Sequence, residues 1–366
     1  MDFLNDKRIV MTLDAGGTNF VFSAIQGGKE IISPVCLPSN AADLDKCLAT
    51  LISGFGKIKQ DLSSKPAAIS FAFPGPADYP NGVIGELGNL PAFKGDVALG
   101  PMLEEKFNLP VFINNDGDLY AYGEAIAGYL PYINQMLKEA KSPKRFRNLA
   151  GFTIGTGFGG GIVRDGELFT GDNSGAGEVW LLRDKLEPDM GAEESISIRA
   201  VQRVYAEVAG IKPDQAPSPK EIFEIGTDRR TGNKEAAIEA YRRLGEALGD
   251  ALANVLTLVD GIAVIGGGIA GAHSLFLPTV VAEMNSTYRN HSGEVYRRLA
   301  QQTFNLEDAR SLRTFLKGES REITVPLSHR KLIYDPLSRV GVGVSRLGTS
   351  EAVAIGAYAF ALKQIE

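Results

Sequence analysis

Two segments of this chain repeat one order of elements: a short apolar strand, a glycine-rich turn and a second strand. We call residues 16–18 the first glycine turn and residues 155–157 the second glycine turn. Predicted strands flank them at residues 9–13 and 20–25, and at residues 149–154 and 162–164. β-Branched and apolar runs favour strands, and glycine with short polar residues favours turns. The repeat therefore predicts two related hairpins, although their similarity is too slight to prove an internal duplication.

Helical and strand patterns alternate along the rest of the chain. Apolar residues recur at helical spacing in 41–62 and 233–259, while 67–73, 111–113 and 261–265 are short apolar runs typical of buried strands. The chain ends in an apolar helical pattern at 350–362, and residues 285–345 carry no clear period. This alternation predicts an α/β fold, and 366 residues allow roughly two domains.

Composition and charge exclude several classes of protein. Hydrophobic residues make up 44% of the chain and charged residues 22%, which excludes intrinsic disorder as its main state. A net charge of −6 disfavours nucleic acid and anionic membranes as partners. The N-terminus lacks the pattern of a signal peptide, and no uncharged apolar run of about 18 residues exists. We therefore expect a cytoplasmic protein with no membrane partner, in which Cys36 and Cys47 are reduced thiols.

The glycine motifs do not fit two common nucleotide-binding patterns. The sequence contains no GxxxxGK[ST], which excludes a P-loop, but it matches GxGxxG from Gly155 and again from Gly266. The first match leads into a strand, not the helix that a dinucleotide site requires. The second lies between a strand and a helix but lacks the later acidic residue that holds a ribose. Helix N-terminal amides after Gly266 could still hold a nucleotide.

Glycine turns can also bind phosphates through the backbone. Successive N–H groups without Cβ atoms form a concave cradle for anionic oxygens, and two such cradles could clamp a triphosphate. Each turn also carries a hydroxyl, on Thr18 and Thr156, and Asp14 could order hydrated Mg²⁺ at the first. Tight hairpins that need positive φ angles are the simpler explanation for one turn. The clamp explains both turns better.

Asp116 is the other candidate for chemistry. It follows a predicted apolar strand and the residues Asn114 and Asn115. Ligand sites in α/β folds lie beyond the carboxyl ends of strands, so this carboxylate could face a ligand. It could equally cap a helix that begins near Gly117. The sequence pattern alone does not separate these two roles.

The order and spacing of the motifs resemble the ROK family of repressors and sugar kinases over almost the whole chain. The motifs are Asp14-Ala15-Gly16-Gly17-Thr18, Phe73-Pro74-Gly75, Asn115-Asp116, the segment 154–161, Gly177-Glu178 and Gly266-Gly267-Gly268. The resemblance implies an actin-like ATPase (ribonuclease H-like) fold with two lobes around a central cleft. Residues 1–116, completed by a C-terminal helix at 350–366, would form the smaller lobe, and residues 117–349 the larger.

The resemblance also implies an activity: ATP-dependent phosphorylation of a hexose or N-acetylhexosamine, at the 6-hydroxyl. Asp116 would be the general base, and Mg²⁺ would be positioned indirectly by Asp14. The residues implied to contact the sugar are Asn89, Asn115, Glu178, Glu194 and Gly75. The residues implied to contact ATP are Asp14, Gly16, Gly17, Thr18, Gly155, Thr156, Gly157, Gly266, Gly267 and Gly268. Dimers are frequent in the family, although this sequence does not itself decide for a homodimer.

The chain departs from the family at its zinc site. Family kinases have a Gly-Glu-x-Gly-His motif and a cysteine cluster, but Leu181 stands at the histidine position and Ala192 at a cysteine position. Because a structural zinc needs four N or S ligands, we expect no zinc. His273, His291 and His329 match no ligand spacing. We interpret Trp180 as hydrophobic filler in place of the metal, with stacking on a sugar face as the alternative.

Three other functions compete with the kinase. The altered zinc region keeps open a degenerate family member that binds sugar or nucleotide without turnover. A sugar-responsive repressor is disfavoured because only 13 residues precede Asp14, too few for a helix-turn-helix. A nicotinamide oxidoreductase rests only on the GxGxxG matches.

Overall fold

A computed structural model describes residues 3–88 and 90–366, and their secondary structure is α/β with mixed sheets. The chain divides into two compact units. The first unit comprises the chain up to Ala127, the segment Leu168–Ala176 and the C-terminal Leu347–Glu366, and the second comprises Gly128–Glu167 and Gly177–Arg346. The expected boundary after Asp116 thus differs from this division, which comes after Ala127 and assigns a further short segment to the first unit.

The described strands are numbered in chain order: β1 (Val10–Ala15), β2 (Asn19–Gln26), β3 (Lys29–Glu30), β4 (Val35–Pro38), β5 (Ala68–Ala72), β6 (Ala77–Asp78), β7 (Val83–Glu86), β8 (Lys94–Ala98), β9 (Val111–Asn114), β10 (Leu149–Ile154), β11 (Phe158–Arg164), β12 (Glu167–Leu168), β13 (Ile262–Gly266), β14 (Thr287–Arg289), β15 (Val295–Arg297), β16 (Gln302–Asn305), β17 (Arg321–Thr324), β18 (Lys331–Tyr334) and β19 (Arg339–Val344).

The described α-helices are α1 (Leu44–Asp61), α2 (Leu99–Phe107), α3 (Asp116–Ile126), α4 (Tyr129–Glu139), α5 (Ile198–Ala209), α6 (Pro219–Gly226), α7 (Lys234–Val259), α8 (His273–Met284), α9 (Ala309–Lys317) and α10 (Thr349–Gln364). Single turns of 3₁₀ helix lie at Phe3–Asn5, Val179–Leu181, Ala192–Glu194, Pro213–Gln215 and Ala270–Ala272.

The first unit is built on a sheet in the order β3-β2-β1-β5-β9, with β4 also paired to β2. Strands β1 and β2 are antiparallel, whereas β1, β5 and β9 are parallel. Helix α1 covers one face of the sheet with its apolar side, and its Phe55 packs edge to face on Phe22 of β2. The carboxyl ends of the parallel strands therefore meet at one edge of the sheet, where the turns after them lie together.

The C-terminal helix α10 packs on the other face of this sheet. Tyr358 and Leu362 are fully buried against Val10 of β1, and α10 also packs on α3. The two helices approach closely because Gly123 and Gly356 have no side chain. A Cβ atom at Gly123 would lie 1.9 Å from the carbonyl oxygen of Ala352. Helix α10 is thus part of the first unit.

The second unit begins with the same hairpin and parallel strand. Its sheet has the order β12-β11-β10-β13-β19-β16, in which β10 and β11 are antiparallel and β10, β13 and β19 are parallel. Helices α5, α7 and α8 form a core over it, with Tyr241 of α7 stacked on Phe276 of α8. Strand β11 starts at Phe158, earlier than the expected position 162, because the glycines there pair with β10.

Residues 285–345, which showed no pattern in the sequence, fold into short elements. Strands β16 and β19 join the sheet of the second unit, while β14–β15 and β17–β18 are two-stranded hairpins whose residues are all exposed. Short exposed strands have no buried face and therefore produce no alternation of apolar and polar residues. None of the helices in the described residues is long and apolar enough to span a membrane.

Candidate active site

The first glycine turn joins β1 to β2 at the edge where the parallel strands end. Strand β1 ends at Ala15, which pairs with Phe20 of β2. Ser39 holds the turn from outside: its Oγ donates to the carbonyl of Gly17 at 2.6 Å, and its N–H donates to the carbonyl of Thr18 at 2.9 Å. The carbonyls of Gly17 and Thr18 are thus satisfied within the protein, and the side chain of Thr18 is left exposed.

Asp116 opens helix α3 directly after β9. Asn115 is the N-cap, and its Oδ1 accepts the N–H of Gly117 at 2.7 Å. Asp116 Oδ1 lies 2.9 Å from the same N–H. Asn115 is therefore the N-cap of the helix, and Asp116 contacts the same N–H group. The side chain of Asp116 remains accessible to solvent.

Asp116 shares a cavity of about 890 Å³ with Asp14 and Gly75, entirely within the first unit. The cavity is lined by residues of β1, β2, β3 and β5, by the turn after β5 and by the N-terminal half of α10. Desolvation among the surrounding protein atoms raises the pKa of Asp116, and the N–H of Gly117 opposes that shift. Access and a raised pKa are compatible because the carboxylate faces a cavity and not open water.

Gly75 lies in the turn that follows β5. The turn is fixed by Tyr79, whose hydroxyl donates to the carbonyl of Phe73 at 3.0 Å. A Cβ atom at Gly75 would lie 3.0 Å from that hydroxyl, which would be a tight contact. The structure thus brings three expected site residues together in the first unit: Asp14, Gly75 and Asp116.

In the second unit the second glycine turn and the triplet Gly266, Gly267 and Gly268 lie side by side. Strands β10 and β13 are neighbours, with Thr153 opposite Gly266. Gly267 has a φ of +87°, and a Cβ atom there would lie 2.4 Å from the carbonyl oxygen of Ile154. Glycine is therefore required at 267 for packing, whereas Gly268 has no atom within 4 Å of an added Cβ. The structure brings these six expected nucleotide contacts to one end of the sheet.

The two glutamates expected at the sugar lie on neighbouring 3₁₀ turns of the second unit. Glu178 immediately precedes Val179–Leu181, and Glu194 ends Ala192–Glu194. The indole N–H of Trp180 donates to Glu178 Oε2. Trp180 is 42% exposed and its indole holds a carboxylate, so the interpretation as hydrophobic filler is wrong.

The region of the family's zinc motif carries other side chains here. Leu181 is exposed and Ala192 is buried, and neither side chain can bind a metal. The loop between them is closed by the buried Asp184, whose Oδ1 accepts the N–H groups of Leu186 and Glu187 at 2.7 and 3.2 Å. In residues 3–88 and 90–366 no group of three or more His, Cys, Asp or Glu side chains could hold a metal ion.

Two polar residues next to the turns were missed in the sequence analysis. Ser39 supports the first glycine turn, and Glu193 supports the second by accepting the N–H of Phe158 at 3.0 Å. The only sequence signal for Glu193 was its place beside Glu194, and Ser39 carried none. Asn89, expected at the sugar, lies outside the described residues.

Comparison with known proteins assigns these features to a family. The model of the ROK family matches residues 10–307. An N-acetyl-D-glucosamine kinase from Photobacterium profundum is 29% identical over 290 residues, which cover 74% of this chain and 88% of that protein. The crystal structure of a glucokinase from Parabacteroides distasonis is 55% identical, covers 99% of both chains and superposes with a TM-score of 0.91.

A more distant structure shares the fold. It is a ROK glucokinase from Streptomyces griseus in complex with glucose and AMPPNP, 18% identical over 97% of this chain and 99% of that one, with a TM-score of 0.59. At this identity the likeness supports the fold alone.

Proposed function

The chain belongs to the ROK family, and on that premise we propose that it is a sugar kinase: it transfers the γ-phosphoryl group of ATP to the 6-hydroxyl of a hexose or N-acetylhexosamine. The observation that carries the proposal is Asp116. Its carboxylate is accessible, has a raised pKa and shares a cavity with Asp14. Similar proteins named for kinase activity on N-acetyl-D-glucosamine and glucose support this substrate class.

The chemistry assigned to Asp116 is general-base catalysis. The sugar hydroxyl donates its proton to the carboxylate while its oxygen attacks the γ-phosphorus, and ADP leaves as the bond to the γ-phosphoryl group breaks. A raised pKa makes Asp116 a stronger base than an ordinary aspartate. A positioned base of this kind contributes about 10²- to 10⁴-fold to the rate.

The phosphates need neutral or positive partners, because phosphoryl transfer depends mainly on positioning and on neutralising charge. The proposed partners are the backbone N–H groups of the two glycine turns and of Gly266, Gly267 and Gly268, apart from the N–H of Gly155, which donates to the carbonyl of Gly157 at 2.9 Å. Magnesium is commonly held by one or two carboxylates together with substrate phosphates. Asp14 fits that role because it lines the same cavity as Asp116 with an exposed side chain. When bound, Mg²⁺ would neutralise phosphate charge.

The sugar contacts proposed for the second unit are Glu178 and Glu194, and those proposed for the first are Asn89, Asn115 and Gly75. Carboxylates suit this task because each accepts hydrogen bonds from two hydroxyls of a sugar. From the resemblance to the family we also propose that the protein closes around its sugar. Small-angle scattering with and without sugar tests the closure, which predicts a smaller radius of gyration in the complex.

A coupled ADP-release assay tests the activity. The protein is given Mg-ATP with a panel of hexoses and N-acetylhexosamines, with and without a zinc chelator, and Asp116→Ala is assayed alongside. Turnover of one sugar that depends on magnesium and survives the chelator supports a zinc-free kinase and names its substrate. No turnover across the panel, with ATP still bound, would support the binder without turnover.

A further inference from the structure

Glu193 lies directly against the second glycine turn. Its Oε2 accepts the N–H of Phe158 at 3.0 Å, at the point where the turn enters β11. An added Cβ atom at Gly157 would lie 2.5 Å from the same oxygen, so the carboxylate rests on bare glycine backbone. A side chain at 157 would therefore displace the carboxylate of Glu193. The position of the turn therefore depends on the position of Glu193.

Arg199 links Glu193 to Glu194. Its Nη2 lies 3.1 Å from Glu193 Oε1 and 3.9 Å from Glu194 Oε1. One guanidinium is thus shared by the carboxylate that supports the phosphate turn and by the carboxylate expected to hold the sugar. The two glutamates are also consecutive residues of the single 3₁₀ turn Ala192–Glu194. Because the two residues are adjacent, a displacement of one side chain also displaces the other.

The start of α5 completes the link. The N–H of Ile198, the first residue of that helix, donates to the carbonyl of Gly155 at 2.9 Å. Ser197 caps the helix and is buried. Residues 192–198 therefore hold the second glycine turn at both of its ends: through Ile198 at Gly155 and through Glu193 at Phe158.

We propose that Glu193 is a positioning residue that couples the two substrates, so that sugar bound at Glu194 raises the affinity of the second glycine turn for ATP. The inference rests on the proposed function. A sugar that fixes Glu194 also fixes Glu193 and Arg199, and through Phe158 it orders the turn. ATP then binds a preorganised cradle and loses less free energy in ordering it.

The test compares affinities for AMPPNP with and without saturating sugar, by calorimetry, in the wild type, Glu193→Ala and Glu193→Gln. In the wild type we expect the sugar to lower the Kd for AMPPNP by about fivefold or more. Glu193→Ala loses both contacts, so the ratio of the two dissociation constants falls to about one. Glu193→Gln keeps an oxygen for the N–H of Phe158 but not the ion pair, so its ratio is intermediate.

The control is Glu322→Ala, which removes an exposed ion pair with Lys331 on the β17–β18 hairpin of the same unit. We expect it to keep the wild-type ratio. If Glu193 had only a structural role, Glu193→Ala would weaken sugar binding and lower kcat as well. The positioning role instead raises the KM for ATP while the Kd for sugar alone stays at its wild-type value.

Either of two results overturns the inference: a wild type that turns over sugar without any coupling, or a Glu193→Ala protein that retains the coupling. If Glu193→Ala does not fold, a wild-type ratio in Glu193→Gln and in Arg199→Ala overturns it equally. A wild type that neither binds AMPPNP nor turns over any sugar contradicts the proposed function itself, and this outcome is distinct from both.

Discussion

The two glycine turns occupy the same place in their hairpins, but different side chains support them. The first turn has its carbonyl groups held by the neutral side chain and backbone of Ser39. The second has an N–H group held by the carboxylate of Glu193. The acids near the first turn, Asp14 and Asp116, face a cavity, whereas Glu193 is used to support its turn.

The difference indicates a division of labour. A turn whose carbonyls are satisfied elsewhere presents N–H groups to a ligand, and nearby free carboxylates can then serve a metal ion or a proton. A turn clamped by a carboxylate gains a fixed shape but depends on the residue that clamps it. We therefore expect substitutions in the first unit to lower kcat, and substitutions in the second unit to lower the affinity for nucleotide.

The largest effect is expected for Asp116→Asn in the first unit. Removing the general base lowers kcat by about 10²- to 10⁴-fold, while the Kd values for sugar and AMPPNP change little. The coupled ADP-release assay and calorimetry measure the two effects. Asp61→Asn, at the exposed end of α1, is the matched control and keeps wild-type turnover.

Unfolding of the variant does not explain a lower kcat in Asp116→Asn. The raised pKa of Asp116 predicts that the substitution does not destabilise the folded chain. A carboxyl whose pKa is raised in the folded chain costs stability once the pH rises above its unfolded pKa. Asp116→Asn therefore keeps or gains thermal stability at neutral pH. A drop in Tm alongside the lost activity would count against the assigned role.

The pH dependence of the wild type sharpens the same point. Asp116 accepts a proton only when ionised, so kcat falls as the pH drops through its raised pKa. We expect the acidic limb of the kcat profile at a pH above the ordinary range of an aspartate. An acidic limb at or below that ordinary range would contradict a general base with a raised pKa at Asp116.

In the second unit, Gly267→Ala and Gly268→Ala separate packing from ligand binding. Alanine at 267 meets Ile154 and a φ of +87°, so we expect a loss of about 1 to 3 kcal/mol in unfolding free energy from the backbone conformation alone. Alanine at 268 meets no protein atom, and stability should change by less than about 0.5 kcal/mol. The KM of Gly268→Ala for ATP should nevertheless rise. Denaturant unfolding and initial rates give both quantities, and equal stabilities would refute the distinction.

The smallest effect concerns the support of the first turn. Ser39→Ala removes the hydrogen bond to Gly17 and should cost about 0.5 to 1.5 kcal/mol of unfolding free energy. The N–H of residue 39 still binds Thr18, so we expect only a modest rise in the KM for ATP. The exposed Ser63→Ala serves as the comparison. If Ser39→Ala raised that KM more than Glu193→Ala does, the contrast between the turns would be reversed.

The sequence predicted the main elements because each has a local cause. The hairpin of β1 and β2, the helix α7 with its cap at Asn233 and the strand β13 follow from apolar periodicity and turn residues. The hairpins within 285–345 were not predicted because their strands are short and exposed. The prediction for Trp180 failed because an apolar side chain does not report whether a polar neighbour such as Glu178 will hold it at the surface.

By itself the sequence determined the α/β class, the two glycine turns and the choice of Asp116 as a candidate base, because these depend on residue type and spacing. The tertiary structure decided which residues meet. It placed Asn115 as the cap so that Asp116 stays accessible, brought α10 onto the first sheet, and set Glu193 against a turn distant in the chain. Such contacts join residues far apart in sequence, and no local pattern encodes which partner closes a given turn.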